Sequence, residues 1–214
     1  MIRRVIGLYF SPVGGTAKMT EALAAKLATN LNDCSPEHID YTCCDLLRMN
    51  DKELVLDDET IAVIGMPVYI GKVPLPAIKM LEKIRAGGAI TVAAVSYGAR
   101  TYGNALYELN HYAEGQGFKV IGAGAFSVKY KRRTGTESVV DKEAINKFGA
   151  AAARKIRRLA GSEIEGLKIK PAPLEVNGRM PVHGVSRIAP GAAAAAQSLL
   201  EILNIRHKDS EWYL

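Results

Sequence analysis

Residues 11–16 read Ser-Pro-Val-Gly-Gly-Thr, and their setting makes them a candidate anion site. Before them stands a nearly continuous apolar run of Val5, Ile6, Leu8, Tyr9 and Phe10; after them Met19, Ala22, Leu23 and Leu27 recur at three- and four-residue spacing. The run predicts a strand buried on both faces and the spacing an amphipathic helix. At such a joint the first backbone N–H groups of the helix have no partner within it, and the helix dipole adds partial positive charge. Gly14 and Gly15 let a ligand approach the main chain, while Ser11 and Thr16 offer hydroxyls. No lysine stands in the loop, so amides would do most of the binding. An ordinary strand-to-helix turn capped by Thr16 accounts for the same residues and stays open as an alternative.

Two later stretches carry Tyr beside Gly: residues 67–73 with Tyr69 and Gly71, and residues 97–103 with Tyr97, Gly98, Tyr102 and Gly103. Tyrosines can stack on a flat ring, and glycines allow close approach of the backbone. One phosphate loop with aromatic loops suits a mononucleotide better than a dinucleotide, although each tyrosine singly is also an ordinary amphipathic surface residue. Residues 65–72, GMPVYIGK, have the spacing of a nucleoside-triphosphate loop, but Val73 stands where the magnesium-binding hydroxyl belongs and Pro67 removes a backbone donor. A GxGxxG fingerprint does not follow the first strand, which weakens a dehydrogenase reading.

The elements that must hold these loops alternate along the chain. Strands are expected over residues 5–10, 37–45, 60–66, 89–96 and 118–128, the second of them a polar edge. Helices are expected after residue 16, from Pro74 with Ile78, Leu81 and Ile84 as its stripe up to Gly87 and Gly88, over Ala105, Leu106, Leu109 and Ala113, and from an Asp141 cap through Ile145, Phe148, Ala152, Ile156 and Leu159. This is the pattern of an α/β domain, a five-stranded parallel sheet with helices on both faces. Residues 49–59 read as a surface connection and residues 129–140 as a basic loop. The character changes after residue 160. Residues 164–190 hold Pro171, Pro173, Pro181 and Pro190 without a period, so residues 161–214 read as an extended arm on its own subunit or a neighbouring one. A short helix over residues 191–204 follows, and Trp212 and Tyr213 suggest a terminus that docks.

Composition narrows the function further. A chain of 214 residues, 48% hydrophobic, fits one globular domain with an appendage. No apolar run reaches the roughly 18 residues that a membrane helix needs. The start, MIRRVIGLYF, is basic then apolar, yet the run is short, lacks a small-residue cleavage site and is needed as the first strand, so a cytoplasmic protein is expected. Cys34, Cys43 and Cys44 read as packing residues, with Cys43 and Cys44 on opposite faces of a strand, and no Cys-x-x-Cys supports an iron–sulfur or zinc site. His38, His111, His183 and His207 lack metal-ligand spacing. The net charge of +6 is modest; it suits an acidic partner or a phosphorylated ligand, while nucleic acid binding has no motif behind it.

SPVGGT before a helix, GMPVYIGKVP after the third strand and SYGARTYGNAL after the fourth together resemble the flavodoxin-like family, most closely the flavodoxin half of bacterial flavodoxin–ferredoxin fusion proteins, over residues 1–159. The resemblance implies a three-layer sandwich with strand order 2-1-3-4-5 and residues 1–160 as an FMN-binding domain. It implies that Ser11, Gly14, Gly15 and Thr16 hold the FMN phosphate, that Pro67, Val68, Tyr69, Ile70 and Gly71 line one side of the ring and ribityl chain, and that Ser96, Tyr97, Gly98, Tyr102 and Gly103 line the other. Lys72, Arg100 and the stretch 129–133 would flank the ring. Val13 stands within the phosphate loop where the family carries Thr, which removes one hydroxyl. The cluster cysteines of the fusion proteins do not follow, so a redox partner would be a separate chain, an acidic ferredoxin or a reductase, and the arm offers a route to a homodimer. An electron carrier is the first expectation. An NAD(P)H-dependent FMN reductase and a flavin-free binding module are the alternatives.

Overall fold

In the computed structural model, residues 2–33, 35, 37–49, 53–98, 101–130, 138–160, 174–180 and 210–214 are described. Strand β1 (Arg4–Tyr9) leads into helix α1 (Gly15–Asn32), then β2 (Asp40–Asp45), a 3₁₀ turn at Leu46–Arg48 and the two-residue β3 (Leu54–Val55). β4 (Thr60–Pro67), α2 (Leu75–Leu81), β5 (Ile84–Arg85), β6 (Ile90–Tyr97), α3 (Ala105–Gly115) and β7 (Lys119–Tyr130) complete the central layers. β8 (Ser138–Val140), α4 (Lys142–Ala160) and β9 (Glu211–Tyr213) follow.

The five long strands lie in the order β2-β1-β4-β6-β7 and are all parallel, the order 2-1-3-4-5 expected of them. All eight residues of β4 and of β6 are buried, as the continuous apolar runs of two-sided central strands require. β2 is an edge strand, and its sequence DYTCCD is accordingly polar. One core, with Leu8, Ile64, Ala93 and Leu106, lies on the α2/α3 face; the other, with Met19, Leu23, Val63 and Phe148, lies under α1 and α4. Cys43 packs against the second core and Cys44 against the first, as neighbours on a strand must. Burial pushes the pKa of both thiols above the usual value.

Four expectations need correction. The sheet has two further strands, β8 and β9, both antiparallel on the outer side of β7, so the sheet is not purely parallel. Both are three residues long, too short to print a period. The helix expected through Ile84 stops at Leu81, and residues 84–85 instead pair in parallel with residues 54–55, inside the stretch read as a plain connection. Lys129 lies on β7 rather than in a loop. The expected helix over 191–204, Arg100 and residues 131–133 lie outside the described residues, as do Cys34, His183 and His207.

The described pieces beyond residue 160 pack on the same domain. Leu174 and Val176 join the α2/α3 core, Asn110 Nδ2 donates to the Leu174 carbonyl at 3.4 Å, and β9 pairs with Ala123, Gly124 and Ala125. Close packing of α1 on the sheet depends on bare backbone beneath it: a Cβ at Gly65 would overlap Thr20 Oγ1. That contact sets how far the N-terminus of α1 stands above the ends of β1 and β4.

Candidate functional site

The loop between β1 and α1 is built as a helix entry. Gly14 is the N-cap residue, in the left-handed region at φ 87°, where a side chain is strained even though a Cβ would meet nothing within 4 Å. Gly14 has no side chain to cap the helix, and Ser11 does so in its place: its Oγ accepts from the Ala17 N–H at 2.9 Å. Lys18 N–H reaches the Gly14 carbonyl at 3.1 Å. The N–H groups of Val13, Gly14, Gly15 and Thr16 donate to no partner among the described residues. They sit where the dipole of an 18-residue helix is positive. The Val13 side chain is 40% exposed, so this residue offers the loop its amide rather than its side chain.

Thr16 has a different place from the one expected. Its side chain is buried, and its Oγ1 lies 2.8 Å from Ser96 Oγ at the end of β6. Ser96 also accepts at its carbonyl from the Val68 N–H at 2.9 Å. Ser96 thus ties the first loop to the second from both its side chain and its backbone. Thr16 does not cap α1; the cap hydrogen bond comes from Ser11.

The second loop is a tight reversal. Tyr69 and Lys72 exchange backbone hydrogen bonds of 2.9 and 3.2 Å, and the two residues between them, Ile70 and Gly71, both have positive φ, 54° and 73°. That is the pattern of a type I′ turn, which favours Asn-Gly and penalises a β-branched residue. Ile70 is the non-glycine residue in this strained region, and its side chain is 66% exposed. The loop is held on its far side by Glu108, a buried carboxylate on α3 that accepts from the Val73 N–H at 2.7 Å. The sequence carries one signal for Glu108, a charge beside the apolar stripe of a short helix.

Gly71 and Gly103 meet each other. A Cβ on Gly103 would lie 2.6 Å from Gly71 Cα and from its carbonyl oxygen, and the Asn104 N–H donates to that oxygen at 2.9 Å. Their lack of side chains therefore allows the second and third loops to touch.

The three tyrosines divide. Tyr69 lines a shallow cleft with Ser11, Pro12, Val13, Gly15, Thr16, Pro67, Val68, Ser96 and Tyr97. Its hydroxyl is buried there without a hydrogen-bond partner, and burial pushes the phenol up. Tyr97 is 1% exposed and Tyr102 7%, and their rings pack on each other, tilted by 57° with centroids 5.6 Å apart. Tyr69 by contrast is half-buried, and Tyr97 joins it in the lining of the cleft. The Tyr102 hydroxyl is hydrogen-bonded to Glu211 and Tyr213 of β9, and burial with these bonds pushes its pKa well above the usual phenol range.

The remaining candidates have local explanations. His38 pairs with Asp40 at 3.3 Å on the exposed edge, and His111 stacks on Tyr107. Among the described residues no group of three or more His, Cys, Asp or Glu is placed to hold a metal ion, and no helix is long and apolar enough to cross a membrane. Residues 65–72 form no phosphate cradle: Pro67 ends β4, and the turn at 70–71 closes on itself.

No family model matches this chain, and no curated protein matches it by sequence. Solved structures do. A flavodoxin from the domain Archaea superposes with a TM-score of 0.51 at 20% identity, covering 72% of this chain and 99% of that one. An oxidoreductase from Corynebacterium diphtheriae superposes with a TM-score of 0.53 at 14% identity, covering 76% of this chain and 98% of that one. With the strand order above, these likenesses establish the fold: it is flavodoxin-like, with added strands on the β7 side.

Proposed function

We propose that the chain binds FMN at the ends of β1, β4 and β6 and serves as an electron carrier. One observation carries the reading: Val13, Gly15 and Thr16, whose amides have no partner among the described residues, line the same cleft as Tyr69, whose buried hydroxyl also has none. A buried polar group is rarely left unpaired in native structures, and free amides at a helix N-terminus attract an anion, so the site calls for a polar ligand. A mononucleotide phosphate supplies acceptors for the amides, and its attached ring and ribityl chain supply one for the phenol.

Each residue then has a defined task. The α1 amides bind the phosphate, helped by the dipole. Ser11 receives Ala17 N–H on its oxygen and keeps its own proton to donate. The Thr16–Ser96 pair fixes the distance between the loops, and Pro67 and Val68 form an apolar wall. FMN, when bound, would supply redox chemistry that these side chains lack. A soluble role in the cytoplasm, with a separate acidic ferredoxin or a reductase as partner, completes the proposal.

A flavin-free binding module is the second reading, favoured by the inward packing of Tyr97 and Tyr102 and by Val13. Titration of purified protein with FMN, followed by flavin fluorescence, separates the two. The carrier reading expects saturable one-to-one binding, whereas no saturation favours the module. NADH or NADPH oxidation with quinone acceptors then distinguishes a carrier from an FMN reductase, with slow turnover expected.

A further inference from the structure

The contacts of the last five residues tie three parts of the domain together. Ser210 Oγ donates to Asp141 Oδ2 at 3.0 Å, where Asp141 also caps α4, and accepts from the Ser127 N–H at 3.4 Å. Residues 211–213 run antiparallel to residues 123–125 of β7. Alternate side chains straddle the sheet edge. Trp212 reaches Phe148 of α4, with ring centroids 6.2 Å apart, while Tyr213 packs on the opposite core, where its hydroxyl donates to Glu211 Oε1 at 2.8 Å. Tyr102, on the loop after β6, is hydrogen-bonded to Glu211 and Tyr213.

We propose that residues 210–214 are a detachable latch that holds the loop of residues 101–104 through Tyr102. The latch is weakly built: its ladder spans three residues, and Trp212 remains 36% exposed. Short edge strands with few buried contacts open at low free-energy cost. When the latch leaves, β7 keeps only an ordinary wet edge, but Tyr102 loses its bonds to Glu211 and Tyr213 while buried. An unsatisfied buried hydroxyl is costly, so the loop follows and turns Tyr102 outward toward the cleft that Tyr97 borders. Latch and loop therefore open as one unit, which sets when the third loop can present an aromatic ring.

The chain of 214 residues tests this, because Trp212 is its only tryptophan and reports the latch directly. Ser210→Ala removes the Asp141 anchor and touches nothing in the loop. It is expected to raise acrylamide quenching of Trp212 and, by about threefold to tenfold for one lost hydrogen bond, amide exchange at residues 101–104. Tyr102→Phe is expected to raise exchange at residues 123–125 in turn, and protection of β1 and β4 stays unchanged in both. The unmutated protein gives a check that needs no variant: amides at 101–104 and at 123–125 should open with the same urea dependence. Greater Trp212 quenching in Ser210→Ala without faster exchange at 101–104 would overturn the proposal. So would unequal urea dependences, or no response of Trp212 to either substitution.

Discussion

Three glycine-to-alanine substitutions separate backbone strain from steric contact in this fold. At Gly115, the last residue of α3, a Cβ meets nothing within 4 Å and φ is ordinary. Alanine there should stabilise by about 0.5 kcal/mol, through helix propensity and a less flexible unfolded chain. At Gly14 a Cβ also meets nothing, but φ is +87°. Strain alone should cost about 1 kcal/mol. At Gly103, φ is +57°, and the Cβ would lie 2.6 Å from Gly71 Cα, well inside the ordinary carbon–carbon separation. Neither partner is a flexible side chain, so the loops must part, and the Asn104–Gly71 hydrogen bond of 2.9 Å goes with them. Strain of about 1, overpacking of 1–3 and a lost bond of about 1 kcal/mol, less the unfolded-state gain, leave roughly 2–4 kcal/mol. In a chain of this size that lowers the melting temperature by about 5–15 °C. Thermal unfolding by circular dichroism, with urea midpoints as a cross-check, measures all three. The reasoning fails if Gly103→Ala costs no more than Gly14→Ala, because then the second and third loops are not in contact.

Other outcomes follow from single features. Val13→Thr adds a hydroxyl to the proposed phosphate loop at an exposed position and should tighten FMN binding about tenfold, as a hydrogen bond to a charged acceptor does, while leaving riboflavin binding unchanged in the same titration. Ile70→Asn should stabilise by about 1 kcal/mol in urea unfolding, because Asn-Gly suits a type I′ turn and Ile at φ 54° does not. Burial raises the pKa values of Tyr69, Tyr102, Cys43 and Cys44 above their ordinary values of 10.0 and 9.0. The folded state therefore favours the protonated forms; this contribution is complete below about pH 9 and is lost as pH rises through the folded values. The urea midpoint should fall between pH 9 and 11, and Tyr102→Phe should shallow the fall.

What the sequence made legible, and what it did not, follows element length. β1, β4, β6 and β7 print apolar runs, and α1, α3 and α4 a period of 3.6, over six to nineteen residues. β3, β5, β8 and β9 are two or three residues long and print none; they exist because neighbouring edges need hydrogen bonds. The cleft was legible as three loops at adjacent strand ends. The aim of its tyrosines was not. Ser96 and Tyr97 are neighbours on β6, so once Ser96 faces Thr16 the pleat sends Tyr97 to the opposite core. Tyr102 is held by residues more than a hundred positions away, a pairing without any local trace. Gly71 and Gly103 announced close approach correctly but not to what.

The central claim is that bare amides at the mouth of α1 hold a mononucleotide phosphate beside Tyr69. The most direct measurement is parallel titration of the protein with FMN and with riboflavin, which differ only in that phosphate. The account predicts saturable one-to-one binding of FMN and binding of riboflavin weaker by about tenfold or more, as the loss of several charge-assisted hydrogen bonds requires. Equal affinities, or no saturation with FMN, would contradict it.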